Sequence, residues 1–304
     1  MTQKLEILVL LRECGDPRPP ARVISMGAGI DDRGLRMFPN PADLSALEEA
    51  LCLADSQDAS VTAVAIGSKR LDDTLRLALS MGASRAVRVD NHGVEGNDAV
   101  ADAKLLARIY SIISPTLIFT GKTLVDRGDD PAPALAAVNL GMPTVSAAVS
   151  LSMSGNSLEV MRKSDRGARQ KVTAPIPCAI FFSSDKEPRY PSHDAVMNSL
   201  EAEVEVWGLP ELGLPLKEIN YRAAALIASD YSFPRLNPLR STTPDPNLIP
   251  FKRIISLLSG GIKAREGKLT VPSSPDDAVE TLIKILKRRA SPRRVRWHTA
   301  SPPA

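Results

Sequence analysis

Histidine, cysteine and aromatic side chains are all scarce in this chain. Three histidines and three cysteines are spread over 304 residues, and none stand at metal-ligand spacing. Cys14, Cys52 and Cys178 are odd in number and far apart, which excludes a disulfide framework and a zinc site and fits a reducing cytoplasm. Aromatics make up only 4%, so few rings are available to stack on a base or a flavin. No apolar run approaches the ~20 residues of a membrane span, and the N-terminus has no signal-peptide pattern. No His stands beside a Cys and no nucleophile elbow is found, so the sequence nominates no catalytic and no metal-binding residue. An excess of positive charge is also missing from most of the chain. The net charge is +3, yet KRRASPRRVRWH (287–298) alone carries six Lys or Arg. Without interleaved aromatics that run predicts a solvated tail and no nucleic-acid partner.

What is present is an alternation of strand and helix signals. LEILVLL (5–11), SVTAVAI (60–66), RAVRV (85–89) and TLIFT (116–120) are short apolar runs of strand length. Between them lie NPADLSALEEALCLAD (40–55), with Asn40 as N-cap and Pro41 at the first helical position, then LDDTLRLALSMG (71–82) and AVADAKLLARIYSII (99–113). Strands joined by helical crossovers imply an α/β fold: a doubly wound, mainly parallel sheet covered on both faces. After Pro143 the pieces VSAAVSLSMS, SLEVMRKSDRG, ARQKVTA and PCAIFFSS predict an antiparallel hairpin excursion and a return strand. YPSHDAVMNSLEAEVEVW (190–207) reads as a short helix or loop and then an alternating edge strand. The division expected is residues 1–207 as one α/β domain and 208–304 as an extended Pro-rich arm (232–251), a late helix (274–289) and the basic tail.

The stretch TGKTLVDRGDDPAPALAAVNLGMPT (120–144) has the form of a phosphate cradle: a strand, a loop with Gly121 and Lys122, then an alanine-rich helix. Such a unit offers backbone N–H groups and a positive dipole end to an anion. Pro131 and Pro133 stand where those donors belong, and proline has none.

NPADLSALEEAL, AVAIG followed by LRLALSMGASRAVRV, the 120–144 loop, and DKEPRYPS, in this order, resemble the β subunit of electron-transfer flavoproteins over roughly residues 4–207. The resemblance implies an adenine-nucleotide-hydrolase-like sheet without hydrolase chemistry, paired as a heterodimer with an α subunit that holds most of the FAD. It further implies a buried AMP, or a second FAD in bifurcating members. Electrons would come from a dehydrogenase and pass to a membrane quinone oxidoreductase. By position, the residues carried over to the nucleotide site or the FAD-facing wall are Leu10, Asn40, Ala42, Gly67, Asp126, Asp129 and Asp130. Those carried over to partner binding are Arg162, Arg189, Tyr190, His193 and Met197.

Several positions depart from the family pattern. Pro131, Ala132 and Pro133 replace its Gln, Thr/Val and Gly, Asp129 and Asp130 would repel a phosphate, and Leu10 fills space beneath the adenine. An empty or remodelled AMP pocket is therefore expected. His193, Glu201 and Glu203 replace the leucine and lysines that follow the EPRYPS equivalent, which predicts a dedicated dehydrogenase as donor. Two other readings compete: a nucleotide-binding regulatory module of the universal-stress type, and a structural subunit that walls off α-bound FAD.

Overall fold

The computed structural model describes residues 5–16, 22–25, 29–31, 35–91, 99–128, 130–215, 245–258, 272 and 274–290. It divides into two compact units, Met1–Pro234 and Arg235–Ala304.

The first unit is built on strands whose side chains are apolar on both faces. In β1 (Leu5–Leu10), Ile7 and Val9 enter one core while Leu8 and Leu10 enter the other, the signature of a strand buried between two helix layers. Around it run β6 (Ala59–Ile66), β7 (Arg85–Val89), β8 (Leu117–Gly121), β9 (Thr144–Ser154), β10 (Ser157–Lys163), β11 (Arg169–Pro175), β12 (Cys178–Phe182) and β13 (Glu205–Trp207). Together they form one nine-stranded sheet in the order β11-β10-β9-β12-β8-β1-β6-β7-β13. Pairing is parallel from β9 through β13, and antiparallel only where β9, β10 and β11 fold out as the expected hairpin excursion.

Helices α1 (Pro41–Ser56) and α2 (Leu71–Met81) cover one face, and α3 (Ala99–Ile113), α4 (Ala132–Asn139) and the short α6 (Leu209–Leu212) cover the other. The doubly wound, mainly parallel α/β architecture read from the sequence is the one observed. Between 190 and 207 the chain forms α5 (His193–Glu201) and then the edge strand β13. Glu201 is thus helical, and of Glu201, Glu203 and Glu205 only Glu205 lies on the strand, where Arg85 grips it through two bonds of 2.6 Å.

Small elements escaped the sequence reading: β2 (Glu13–Gly15) pairs with β5 (Met37–Pro39), and β3 (Arg22–Ser25) with β4 (Gly29–Asp31). Strands of three or four residues carry too little periodicity to register. In the second unit the described elements are α7 (Pro250–Leu258) and α8 (Pro275–Ala290), the latter capped by Ser274 as read, through Asp277 N–H at 3.2 Å. Most of the expected arm at 232–251 lies outside the described residues; its last two residues open α7 and are not extended.

Tyr110 on α3 is fully buried, and its hydroxyl finds no partner among the described residues. Burial pushes its pKa upward, so the group stays neutral. An unpaired buried hydroxyl carries a desolvation cost with nothing to offset it. Tyr110→Phe is expected to raise stability by about 1 kcal/mol in urea denaturation; a loss of comparable size would show that a partner holds the hydroxyl.

Candidate functional site

The parallel strands end on one side of the sheet, and β1 lies at the switch point between β8 and β6, where open α/β sheets leave a crevice. A cavity of about 410 Å³ opens there, lined by Leu10, Arg12, Gly67, Arg70, Asp130 and Pro131 among others.

Arg12 organises its floor. The residue stands two positions beyond the buried end of β1, and its guanidinium reaches in three directions. Nε and Nη2 donate to Asp43 at 3.0 and 2.7 Å, Nη1 donates to Asp130 at 2.7 Å, and Nη2 also donates to the Gly121 carbonyl at 2.7 Å. Asp43, in the first turn of α1, is completely buried. It also accepts from the Arg12 N–H at 3.0 Å, the Thr120 hydroxyl at 3.1 Å and the Gly121 N–H at 2.5 Å. Burial works against the charge on Arg12, but the Coulombic pull of Asp43 and Asp130 outweighs it, so the guanidinium is held firmly charged. One cation and two carboxylates thereby tie together the ends of β1 and β8, the start of α1 and the loop before α4.

Asp130 makes the decisive contact for ligand chemistry. Its second oxygen accepts from the Ala132 N–H at 3.1 Å, at the start of α4. Pro131 caps that helix and Pro133 lies within its first turn. Two of the backbone donors expected there do not exist, and the third already serves the protein's own carboxylate. A phosphate placed at this end of α4 would meet negative charge where a cradle needs N–H groups. The residues present do not fit a bound phosphate.

The other positions read from the sequence stand as follows. Leu10, Gly67 and Asp130 line the cavity. Gly67 has φ +144°, and a Cβ there would come within 2.8 Å of Leu71. Asn40 is fully buried behind the wall, where its amide donates to the Thr123 carbonyl at 3.0 Å and accepts from Cys14 at 3.5 Å. It occupies the N-cap position of α1, yet its side chain does not cap the helix. Ala42 is buried against Gly121. Asp126 accepts from the Gly15 N–H at 3.1 Å and so fastens β2 to the loop. Asp129 lies outside the described residues. Sequence reasoning missed Arg12 and Asp43; the available signal was a lone arginine after five apolar residues, paired with an acid at the third position of the helix α1.

The model of the electron transfer flavoprotein domain family matches residues 28–212, more than half of the chain. The chain belongs to the electron-transfer flavoprotein β family. It is 29% identical over 220 residues to the electron transfer flavoprotein subunit beta of Mycobacterium bovis, covering 70% of this chain and 82% of that protein. To protein FixA of Azorhizobium caulinodans it is 30% identical over 220 residues, covering 69% and 77%. The subunit beta of Bradyrhizobium diazoefficiens is 31% identical over 197 residues, covering 64% and 78%.

In this flavoprotein β-family chain the EPRYPS segment has a structural role that its sequence does not disclose. Arg189 wraps Glu48 of α1 with contacts of 2.9 to 3.2 Å and reaches Asp55 at 2.8 Å, while Lys186 pairs with Glu49 at 2.9 Å. The polar face of α1, with Ser45, Glu48 and Glu49, is buried beneath this strap. Arg189 is therefore committed to α1, whereas Tyr190 (99% exposed), His193 and Met197 face outward. His193 and Met197 are one helical turn apart on α5, and Val196 and Leu200 add exposed apolar surface beside them. Arg162 lies far along the sheet on β10, opposite Ala148 and Gln170, with its Nε buried and unpartnered among the described residues.

Burial alone would raise the Glu48 carboxyl, but the hydrogen bonds from Arg189 outweigh it and hold it below the usual carboxylate range. A carboxylate with a lowered folded-state pKa stabilises above its unfolded value, and that contribution is lost as pH falls through the folded one. The strap is expected to loosen as pH falls below the usual carboxylate range, ahead of the sheet. Hydrogen exchange at residues 186–192 would register it; protection unchanged down to global acid unfolding would refute it.

Proposed function

We propose that this chain is the β subunit of a heterodimeric electron-transfer flavoprotein. In that reading it pairs with an α subunit that holds most of one FAD. It carries electrons from a dedicated dehydrogenase towards a membrane quinone oxidoreductase and performs no catalysis of its own. The observation that carries this reading is the family match across 28–212, on a sheet whose cleft gathers no acid–base or nucleophilic constellation among the described residues.

The nucleotide site is proposed to be vacant of AMP because Asp130 supplies, from within the chain, the negative charge that a phosphate would bring. Arg12 is already neutralised by Asp43 and Asp130. The exposed patch of Tyr190, His193, Val196, Met197 and Leu200 supports a docking role for α5. Glu201 and Glu203, both exposed at the end of that helix, favour a donor with a basic surface.

The test is to co-purify the chain with its α subunit, denature the complex, and quantify released FAD and AMP per heterodimer. One FAD without AMP is expected. FAD with AMP would refute the vacant site and leave the carrier reading intact; two FAD would mean that the cleft holds a flavin. No flavin, or no complex, would overturn the electron-transfer assignment.

A further inference from the structure

Asp130 sits where the protein's own donors would receive an anion. Its Oδ2 accepts from Arg12 Nη1 at 2.7 Å, and its Oδ1 accepts from the Ala132 N–H at 3.1 Å. Pro131 and Pro133 flank Ala132, so this is the only backbone N–H that residues 131–133 possess. It stands in the first turn of α4, where the helix dipole favours negative charge. Arg12, Asp130 and Ala132 all line the cavity of about 410 Å³ at the switch point. A guanidinium and a helix-start N–H, both closed on one carboxylate in a cavity wall, form an oxyanion seat.

The surroundings of that seat are poised for a larger anion. Among the charged residues that line the cavity, Arg12, Arg70 and Arg127 are balanced by Glu13, Asp102 and Asp130. Without the Asp130 charge the lining turns net positive, so one side chain decides whether the cavity draws anions in. Tyr110 follows one turn of α3 after Leu106, which lines the cavity. Its fully buried hydroxyl is unpartnered among the described residues, and the charges of Arg12, Asp43 and Asp130 all act on it. The Asp130 carboxylate thus satisfies two donors and leaves a third polar group beside them without a bond. A phosphate group carries three strong acceptor oxygens, more than a carboxylate can offer.

We propose that Asp130 is a tethered ligand, whose carboxylate closes a seat for phosphate-type oxyanions and keeps them out of the cleft. The exclusion is then the work of one side chain competing with solute anions, and not of the two prolines alone. It rests on the vacant-site reading given above and is independent of the electron-carrier role. Removing Asp130 leaves Arg12 its second counter-charge, because Asp43 still holds Nε and Nη2. The join between the ends of β1 and β8 and the start of α1 therefore survives the substitution.

The test is calorimetric titration of the full-length chain, with the subunit that accompanies it, against inorganic phosphate and against AMP. The wild-type protein is expected to bind neither. Asp130→Ala should bind phosphate at least about tenfold more tightly than wild type, the worth of one charge-assisted hydrogen bond. Phosphate should also raise the urea midpoint of this variant, and chloride at equal ionic strength should not. Asp130→Asn keeps the shape of the side chain without its charge and should fall between the two; it carries the comparison alone if the alanine variant does not fold. Folded variants, judged by circular dichroism, that bind phosphate no better than wild type would overturn the inference and leave the vacant-site reading standing. Equal stabilisation by phosphate and chloride would overturn it as well, since the effect would then be one of salt. Phosphate or AMP bound by the wild-type protein would overturn both.

Discussion

Asp43→Ala is expected to destabilise the first unit by about 3–5 kcal/mol, the range seen when one partner of a buried ion pair is removed. The carboxylate is buried and accepts from the Arg12 guanidinium, two backbone N–H groups and the Thr120 hydroxyl. Truncation leaves all of these donors facing a small void, and Arg12 keeps only Asp130 as a counter-charge. Because the four donors come from the segment after β1 and from β8, and the acceptor from α1, the loss should appear as a cooperative shift of the urea midpoint and not as fraying of one element. Asp43→Asn tests the charge separately. It preserves the volume and one acceptor, so it should cost less than the alanine variant. If both substitutions shift stability by under about 0.5 kcal/mol, the range typical of neutral surface changes, the cluster is not what joins these elements.

The second large effect is expected at Gly121. A Cβ at this position would lie 2.6 Å from the Ala42 Cβ, 2.6 Å from an Asp43 oxygen and 2.8 Å from the Ala42 carbonyl carbon. The last of these is backbone and cannot rotate away. Gly121→Ala must push the start of α1 off the end of β8, stretching the bond from the Gly121 N–H to Asp43. Overpacking of a tight core costs about 1–3 kcal/mol, and with the strained hydrogen bond a loss of about 3 kcal/mol is expected. The cavity floor should move with it. A crystal structure of the variant would show Arg12 displaced from Asp130; an unshifted α1 together with wild-type stability would contradict this account.

Both predictions rest on residues whose importance is invisible along the chain. Gly121 could be read as a glycine at a strand end, but nothing in TLIFTG says that a helix begun eighty residues earlier passes within van der Waals contact of it. Asp43 reads as an ordinary acid in a first helical turn, favourable to the dipole and solvent-exposed by default. Glu48 and Glu49 likewise read as the outer face of an amphipathic helix, and only the return of the chain at Lys186 and Arg189 buries them. By contrast, the strands β1, β6, β7 and β8 and helices α1, α2, α3 and α8 were legible from local pattern. Apolar runs of strand length, Pro at a first helical position and Gly82 as a stop are signals that act within a few residues.

Sequence alone determined the alternation of strand and helix, and with it a parallel sheet covered on two faces, because side-chain periodicity and the geometry of crossovers are local or nearly so. It also determined that α4 lacks two backbone donors, since proline has no N–H in any fold. Only the tertiary structure decided what takes the place of those donors' ligand. Residue 12 and residue 130 are far apart in sequence. Their meeting depends on β1 and β8 lying side by side at the switch point, and the resulting ion pair sets Asp130 in the position an anion would take. Electrostatic partners are chosen by proximity in space, and proximity between distant segments is what folding adds to the sequence.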